Sequence, residues 1–382
     1  MKNHRTITLL LALLFSSVIS IAQSDKDAQA SYDQGIRLKD EKKTSEAFEK
    51  FREAIAANPK HTDALYQAGW CQNELKNYNS AVSYLHKARQ TGVATPKLYF
   101  EMGYAFEKLN KSDSAIFYYN KCLELKPGYA GVYKQLGNMA YTRDDYEDAL
   151  DLFGKYEEFS KKDITDYLYW YRKGFTYNAL KQYNNAKESL NRSLSYRNDN
   201  MNTFLELGFA CFKLKQDDDA IRHYKSAIAI DPKSHIPYNG IAEVYRDNRK
   251  DMNEAMKWYR KTLEMNPTER KASYGMGYCL NSKEQFSEAV SYLKTAIEKE
   301  PTYTAAYVEL GYSYYKTGKD PDAETNFKKA MELNPKNENA RYYACLMYVK
   351  QKNKAKAQKM VDELRGLSSK HVSILQPKVD AL

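Results

Sequence analysis

The sequence is short of the residues that bend or cross-link a chain. Its 382 residues include only 16 Gly and 10 Pro, which excludes collagen-like and Gly/Pro-rich classes. Cysteine is scarce and odd in number. Cys71, Cys122, Cys211, Cys279 and Cys345 show neither the paired spacing of a disulfide framework nor that of a zinc site, and they read as small apolar packing residues. The six histidines, His4, His61, His86, His223, His235 and His371, contain no His-x-x-x-His pair and no HExxH, so no metal site is expected. The phosphate-binding GxxxxGKS/T loop and the GxSxG nucleophile elbow are also missing. Asp217, Asp218 and Asp219 precede a helix, where acids favour the dipole, and no EF-hand loop follows them. No catalytic, cofactor-binding or metal-binding residue is therefore expected, and the chain does not read as an enzyme.

What the sequence has is charge in both signs and many tyrosines. Lys and Arg number 59 against 49 Asp and Glu, a formal net charge of +10 with the signs interspersed. Disorder is excluded by a hydrophobic content of 43%, to which Tyr alone contributes 34 residues. The longest apolar run lies at the start, from Thr6 to Ile21, after the basic Lys2, His4 and Arg5 and before the small residues Ser20-Ile21-Ala22. That pattern predicts a secretory signal over 1–22 with cleavage after Ala22. It is short of the roughly 20 apolar residues a spanning helix needs, and an uncleaved anchor is the alternative. The mature chain is expected to be exported, periplasmic or secreted, with possible envelope association and no transmembrane span.

Beyond the leader the sequence repeats. Gly35, Gly69, Gly103 and Gly137 stand 34 residues apart, and Gly174, Gly208, Gly277 and Gly311 continue the series, with Ala242 in the repeat between Gly208 and Gly277. Twelve residues after each Gly comes Ala (Ala47, Ala81, Ala115, Ala149, Ala186, Ala220, Ala289, Ala323), with Ala255 and Ala357 in the remaining repeats. A large residue follows four later, such as Phe51, Leu85, Tyr119, Phe153 or Leu190, and many repeats close on Pro, as at Pro59, Pro127, Pro232 and Pro335. A fixed period of this length marks a solenoid, and spacings of three and four are helical. Each repeat therefore predicts two short antiparallel helices. Gly and Ala would allow close backbone approach at their crossing, and stacking would bury the faces that one pair leaves open.

This pattern resembles the tetratricopeptide repeat. Tyr307, Leu310, Gly311, Tyr314, Ala323, Phe327, Ala330 and Pro335 match its signature throughout. Phe204, Leu207, Gly208, Ala220, Tyr224, Ala227 and Pro232 match it with Cys211 in place of Tyr. The resemblance implies an all-α, right-handed superhelical α-solenoid of about ten helix-turn-helix units from about Ala28 to Val372. Units one to four would occupy 23–166, with an irregular junction at 157–166, units five to ten 167–372, and a C-terminal cap or tail 373–382. Pro237 and Gly240 in the unit around Ala242 read as a local irregularity. The resemblance also implies a concave groove lined by the first helices, and a role in binding peptides or assembling complexes.

In that groove the residue after each Gly is apolar or aromatic where the family often carries Asn: Ile36, Trp70, Tyr104, Phe175, Phe209, Tyr278, Tyr312 and Leu346, with Asn138 and Glu243 the polar exceptions. One turn earlier stand Tyr66, Phe100, Tyr171 and Tyr274, and further along Tyr141, Phe212 and Tyr315. Tyr66, Trp70, Phe100, Tyr104, Asn138, Tyr141, Tyr171, Phe175, Phe209, Phe212, Tyr274, Tyr278, Tyr312 and Tyr315 are the expected partner-binding residues, since aromatics are common binding anchors. Packing between adjacent first helices is the competing account of the same ring. Lys134 and Asn138 match the start of the family's two-carboxylate clamp, but Arg172, Asn202 and Glu206 do not continue it. The expectation is an exported scaffold that binds a protein or peptide and helps assemble an envelope complex. A glycan-binding groove using Asn73, Asn178 and Asn281 is the alternative. Nucleic acid is disfavoured by the leader despite a pI near 9. Lys350, Lys352, Lys354 and Lys356 offer at most a weak contact with an anionic surface.

Overall fold

The computed structural model describes residues 23–92 and 94–382. The expected leader and its cleavage site lie outside them. Among the described residues every regular element is helical, arranged as an α-solenoid of paired helices. The chain divides into two compact units, one ending at Thr165 and one beginning at Asp166.

The first unit holds α1 (23–40), α2 (Thr44–Ala57), α3 (Thr62–Glu74), α4 (Tyr78–Gln90), α5 (Pro96–Lys108), α6 (Ser112–Leu125), α7 (Ala130–Thr142) and α8 (Tyr146–Phe159). The second holds α9 (Tyr167–Ala179), α10 (Tyr183–Tyr196), α11 (Met201–Lys213), α12 (Asp217–Ile230) and α13 (Ile236–Glu243), which runs into a π-helical turn, Val244–Arg249. After it come α14 (Met252–Met265), α15 (Arg270–Ser282), α16 (Phe286–Lys299), α17 (Thr304–Lys316), α18 (Asp320–Leu333), α19 (Glu338–Lys350), α20 (Lys354–Gly366) and α21 (Val372–Asp380). Within each unit a helix packs on the next in sequence, and the first helices of adjacent pairs also touch, as α3 does α5 and α15 does α17. First helices thus form one wall of each stack. Leu375 and Val379 of α21 are fully buried in the same core cluster as Leu364 of α20 and close the second stack.

The landmark glycines have a sharper purpose than close approach to Ala. Each makes room for the large residue sixteen positions on. A Cβ on Gly103 would lie 2.5 Å from Tyr119 Cδ1, and one on Gly174 or Gly277 would lie 2.5 Å from Cγ of Leu190 or Leu293. The landmark alanines are fully buried beside them. This recurring lock explains why the sequence tolerates a helix-interior Gly at a cost of about 0.5–1 kcal/mol. The turn inside each pair is closed by a residue at positive φ, seven positions after each landmark Gly and eight after Ala242. Asn, Asp, Glu or Lys occupies most of these, as at Lys76, Asn110 and Lys181, and Gly318 takes the place of a side chain once. The following N–H reaches back to a carbonyl five residues earlier, for example Asn77 N to Gln72 O at 2.8 Å, which satisfies the helix end.

The irregular unit around Ala242 has a structural cause. Gly208 and Gly277 are 69 residues apart, one more than two repeats. The π-turn at Val244–Arg249 absorbs the extra residue, as π-bulges do. Gly240 is likewise accounted for: a Cβ there would lie 2.6 Å from Cζ of Tyr224, whose ring also fills the space beside Gly208. Pro237 sits in the first turn of α13, where its missing N–H costs nothing. All five cysteines are free and buried, and burial pushes the Cys71 and Cys279 thiols up to about 12.

Candidate functional site

The expected groove residues lie on the first helices and are, with one exception, half-buried. In the first unit these are Tyr66, Trp70, Phe100, Tyr104, Asn138 and Tyr141. In the second they are Tyr171, Phe175, Phe209, Tyr274, Tyr278, Tyr312 and Tyr315. Phe212 is the exception and a correction. At 7% exposure it belongs to a core cluster with Tyr224, Ile241 and Val244, and it offers nothing to a partner.

The aromatic ring after the landmark Gly has the same surroundings in three repeats. It meets, edge to face, an aromatic that opens the second helix of the preceding pair. Tyr104 meets Tyr78 at 6.3 Å, Phe209 meets Tyr183 at 6.1 Å and Tyr312 meets Phe286 at 5.7 Å. A lysine one turn on lies over one ring of each pair: Lys108 over Tyr104 (4.9 Å), Lys213 over Phe209 (5.3 Å) and Lys316 over Phe286 (5.4 Å). These are partial enclosures, so packing between helices and an open ring surface coexist at one position.

Beneath the rings runs a set of polar rungs that sequence reasoning missed. Asn73 Nδ2 donates to the Glu101 carbonyl (3.0 Å) and carboxylate (2.7 Å). Asn178 does the same to Glu206 at 3.0 and 2.8 Å, and Asn281 to Glu309 at 3.0 and 2.8 Å. Lys39 donates to Gln67 at 2.7 Å from the corresponding positions. Every rung spans 28 residues, and that repeated Asn-to-Glu interval is the signal from which the rungs were readable. Burial pushes Glu101 up to about 7 against the opposing pull of Asn73, and it raises Glu206 and Glu309 as well. The asparagines offered above for sugar binding are buried and their N–H groups are spent on these rungs.

The rung is not repeated between α13 and α15. Arg246, on the π-turn, stands at the position of Asn73, Asn178 and Asn281, and Gly275 at that of Glu101, Glu206 and Glu309. The Arg246 guanidinium lies 5.8, 5.7 and 5.8 Å from the ring centres of Tyr259, Tyr274 and Tyr278 and pairs with both Asp247 oxygens at 2.6 and 2.7 Å. Gly275 is what admits Tyr259: a Cβ there would lie 2.2 Å from Tyr259 Cζ.

One rung opens into a cavity of about 450 Å³ lined by Phe175, Asn178, Lys181, Tyr183, Glu206, Phe209 and Lys213, beside Ala179. Elsewhere the charge runs are engaged by neighbours. Asp217 accepts from Asn248 at 2.7 Å, Asp218 pairs with Arg249 and Asp219 with Arg222 at 2.7 Å. Lys356 pairs with Glu324 at 3.1 Å, Lys350 lies 5.4 Å from the Tyr315 ring centre, and Lys354 donates to the Asp380 carbonyl at 3.4 Å. Lys352 is the positive-φ turn residue. Among the described residues no group of three or more His, Cys, Asp or Glu is placed to hold a metal ion, and no helix is long and apolar enough to cross a membrane.

Family models described as tetratricopeptide repeat match residues 38–98, 96–129, 167–200, 237–269 and 304–337. Heat shock protein STI1 of Saccharomyces cerevisiae is 29% identical over 117 residues, 31% of this chain and 20% of that protein. DnaJ protein P58IPK homolog A of Oryza sativa subsp. japonica is 26% identical over 173 residues, 41% of this chain and 35% of that one. The chain thus spans about a fifth and about a third of the length of these relatives. Among solved structures, the Cut9–Hcn1 hetero-tetramer of APC/C aligns over 92% of this chain and 76% of that one (TM-score 0.54, 14% identity). PilW, a widely conserved type IV pilus biogenesis factor, aligns over 55% and 98% (TM-score 0.51, 21% identity). At those identities the likeness is one of fold. Repeat signature, paired helices and family matches agree: the chain is built of tetratricopeptide repeats.

Proposed function

We propose that the chain is an exported scaffold, without catalytic activity, that binds an extended segment of a partner protein along its first-helix wall and helps assemble an envelope complex. The observation that carries this reading is the half-buried aromatic ring set after the landmark glycines. A core needs such rings covered, and a solvated face has little use for them, whereas a binding wall needs them held rigidly with one part open. Export rests on the leader sequence. The test is crosslinked capture from whole envelope by residues 23–382, beside a folded Tyr104/Tyr278/Tyr312 triple-Ala variant. A protein captured by the first and lost by the second supports the reading. Equal capture by both places the interface on another face.

A further inference from the structure

The cavity between α9, α10 and α11 narrows the chemistry of that partner. Three of its walls are aromatic: Phe175, Tyr183 and Phe209. Its floor is the Glu206 carboxyl, held by Asn178 Nδ2 at 2.8 Å and raised in pKa by its burial. Its rim carries two ammonium groups. Lys213 is exposed, with its Nζ 5.3 Å from the Phe209 ring centre, and Lys181 is exposed on the positive-φ turn. The one acid of the cavity is therefore half-buried and held through one oxygen by Asn178, while both cations are exposed.

The two sister rungs dilute this charge. At the Asn73–Glu101 rung the position of Ala179 is the exposed Glu74, and Lys108 pairs with Glu107 at 2.7 Å. At the Asn281–Glu309 rung the position of Lys181 is the exposed Glu284. The same scaffold thus recurs three times, and in the α9–α11 copy both rim cations stand without a neighbouring exposed acid in the lining.

Resting on the scaffold reading above, we propose that this cavity takes an aromatic side chain of the partner segment together with an adjacent internal carboxylate. The ring seats against Phe175, Tyr183 and Phe209, and the carboxylate lies between Lys181 and Lys213. The Asn178–Glu206 rung lines the floor beneath the ring. The partner is accordingly an acidic, aromatic-bearing stretch of chain, recognised by side-chain carboxylates.

Three nine-residue peptides, acetylated and amidated so that no terminal charge remains, test this by calorimetry on residues 23–382. They carry three repeats of Asp-Phe-Ser, Asn-Phe-Ser or Lys-Phe-Ser. The Asp peptide is expected to bind about tenfold more tightly than the Asn peptide, as two solvent-facing charge contacts permit. The full chain with Lys181→Glu and Lys213→Glu, both exposed positions that leave the core intact, should reverse that order in favour of the Lys peptide. Equal binding of Asp and Asn peptides overturns the carboxylate preference while leaving an aromatic groove in place. Tightest binding of the Lys peptide by the unaltered chain overturns it as well, since Glu206 would then dominate. Binding of none of the three overturns this proposal, while the scaffold reading is judged separately by the envelope-capture experiment above.

Discussion

Two first-helix contacts of the second unit begin from the same repeat positions and end differently. Between α9 and α11 the pair is Asn178 and Glu206, joined by two hydrogen bonds. Between α13 and α15 it is Arg246 and Gly275, with the guanidinium among three tyrosine rings. One extra residue in the π-turn separates the two outcomes. The difference teaches that the repeat fixes the position, while local packing decides what fills it and what charge it carries; Phe212 fills the same position with no polar group. Where the second helix contributes Leu190, which fits beside Gly174, the next first helix is free to carry Glu206. Where it contributes Tyr259, the large phenol needs the space, Glu gives way to Gly275, and an arginine covers the ring.

The largest break in that comparison is steric. Gly275→Ala puts a methyl 2.2 Å from Tyr259 Cζ, in a core where Tyr259 is fully buried and has no flexible end to yield. Overpacking of this kind costs about 1–3 kcal/mol, and the upper end is expected here. Gly154→Ala, whose Cβ meets nothing within 4 Å, is the control and should leave the melting temperature unchanged or raised. Similar melting of the two variants would remove the packing account of Gly275.

Much of this was legible in the sequence and some was not. The period, the Gly–Ala landmarks and the helical pairs follow from repetition, because one packing solution is used again and again. The rungs were also written there, as Asn-to-Glu intervals of 28, but each pair straddles two repeats and disappears when repeats are compared one under another. The π-turn was written in the 69-residue step from Gly208 to Gly277. The burial of Phe212 was not readable from its own helix. It follows from Gly240 on the next pair, where the absent side chain lets Tyr224 in and the ring of Phe212 joins the same cluster. Half-burial of the groove rings depends on contacts with the neighbouring pair, which periodicity does not report.

A smaller effect sharpens the rung side of the comparison. The Glu101 carboxyl, pushed up from 4.5 to about 7 by burial, holds its proton in the folded chain over a range where the unfolded chain has lost it. The folded state then binds more protons, so stability falls as pH rises from about 4.5 to about 7 and is level above that. Its size is at most about 3 kcal/mol, from 1.36 kcal/mol per pKa unit. Glu101→Gln keeps the shape and removes the proton. Melting curves between pH 5 and pH 8 should show a smaller fall for this variant than for the unaltered chain, with the variant the more stable at pH 8. Parallel curves would mean that the rung carboxylate is ionised throughout.

The smallest effect lies in the turns that carry the rung helices into their partners. Lys215 and Gly318 occupy the same position of their repeats, with φ of 59° and 77°. A side chain in the left-handed region strains against its own backbone, and Gly does not. Gly also leaves the unfolded chain more freedom, which returns part of the gain. Lys215→Gly should therefore stabilise the second unit by only about 0.5 kcal/mol, and Gly318→Lys should destabilise it by a similar amount. The opposite signs are the decisive reading, because each variant changes charge as well as backbone freedom, and the two charge changes run in contrary directions. If Lys→Gly weakens the unit and Gly→Lys strengthens it, the lysines at these turns serve through their charge, and the left-handed strain is already relieved by the helix-end hydrogen bond from Gln216 N to Cys211 O at 2.9 Å.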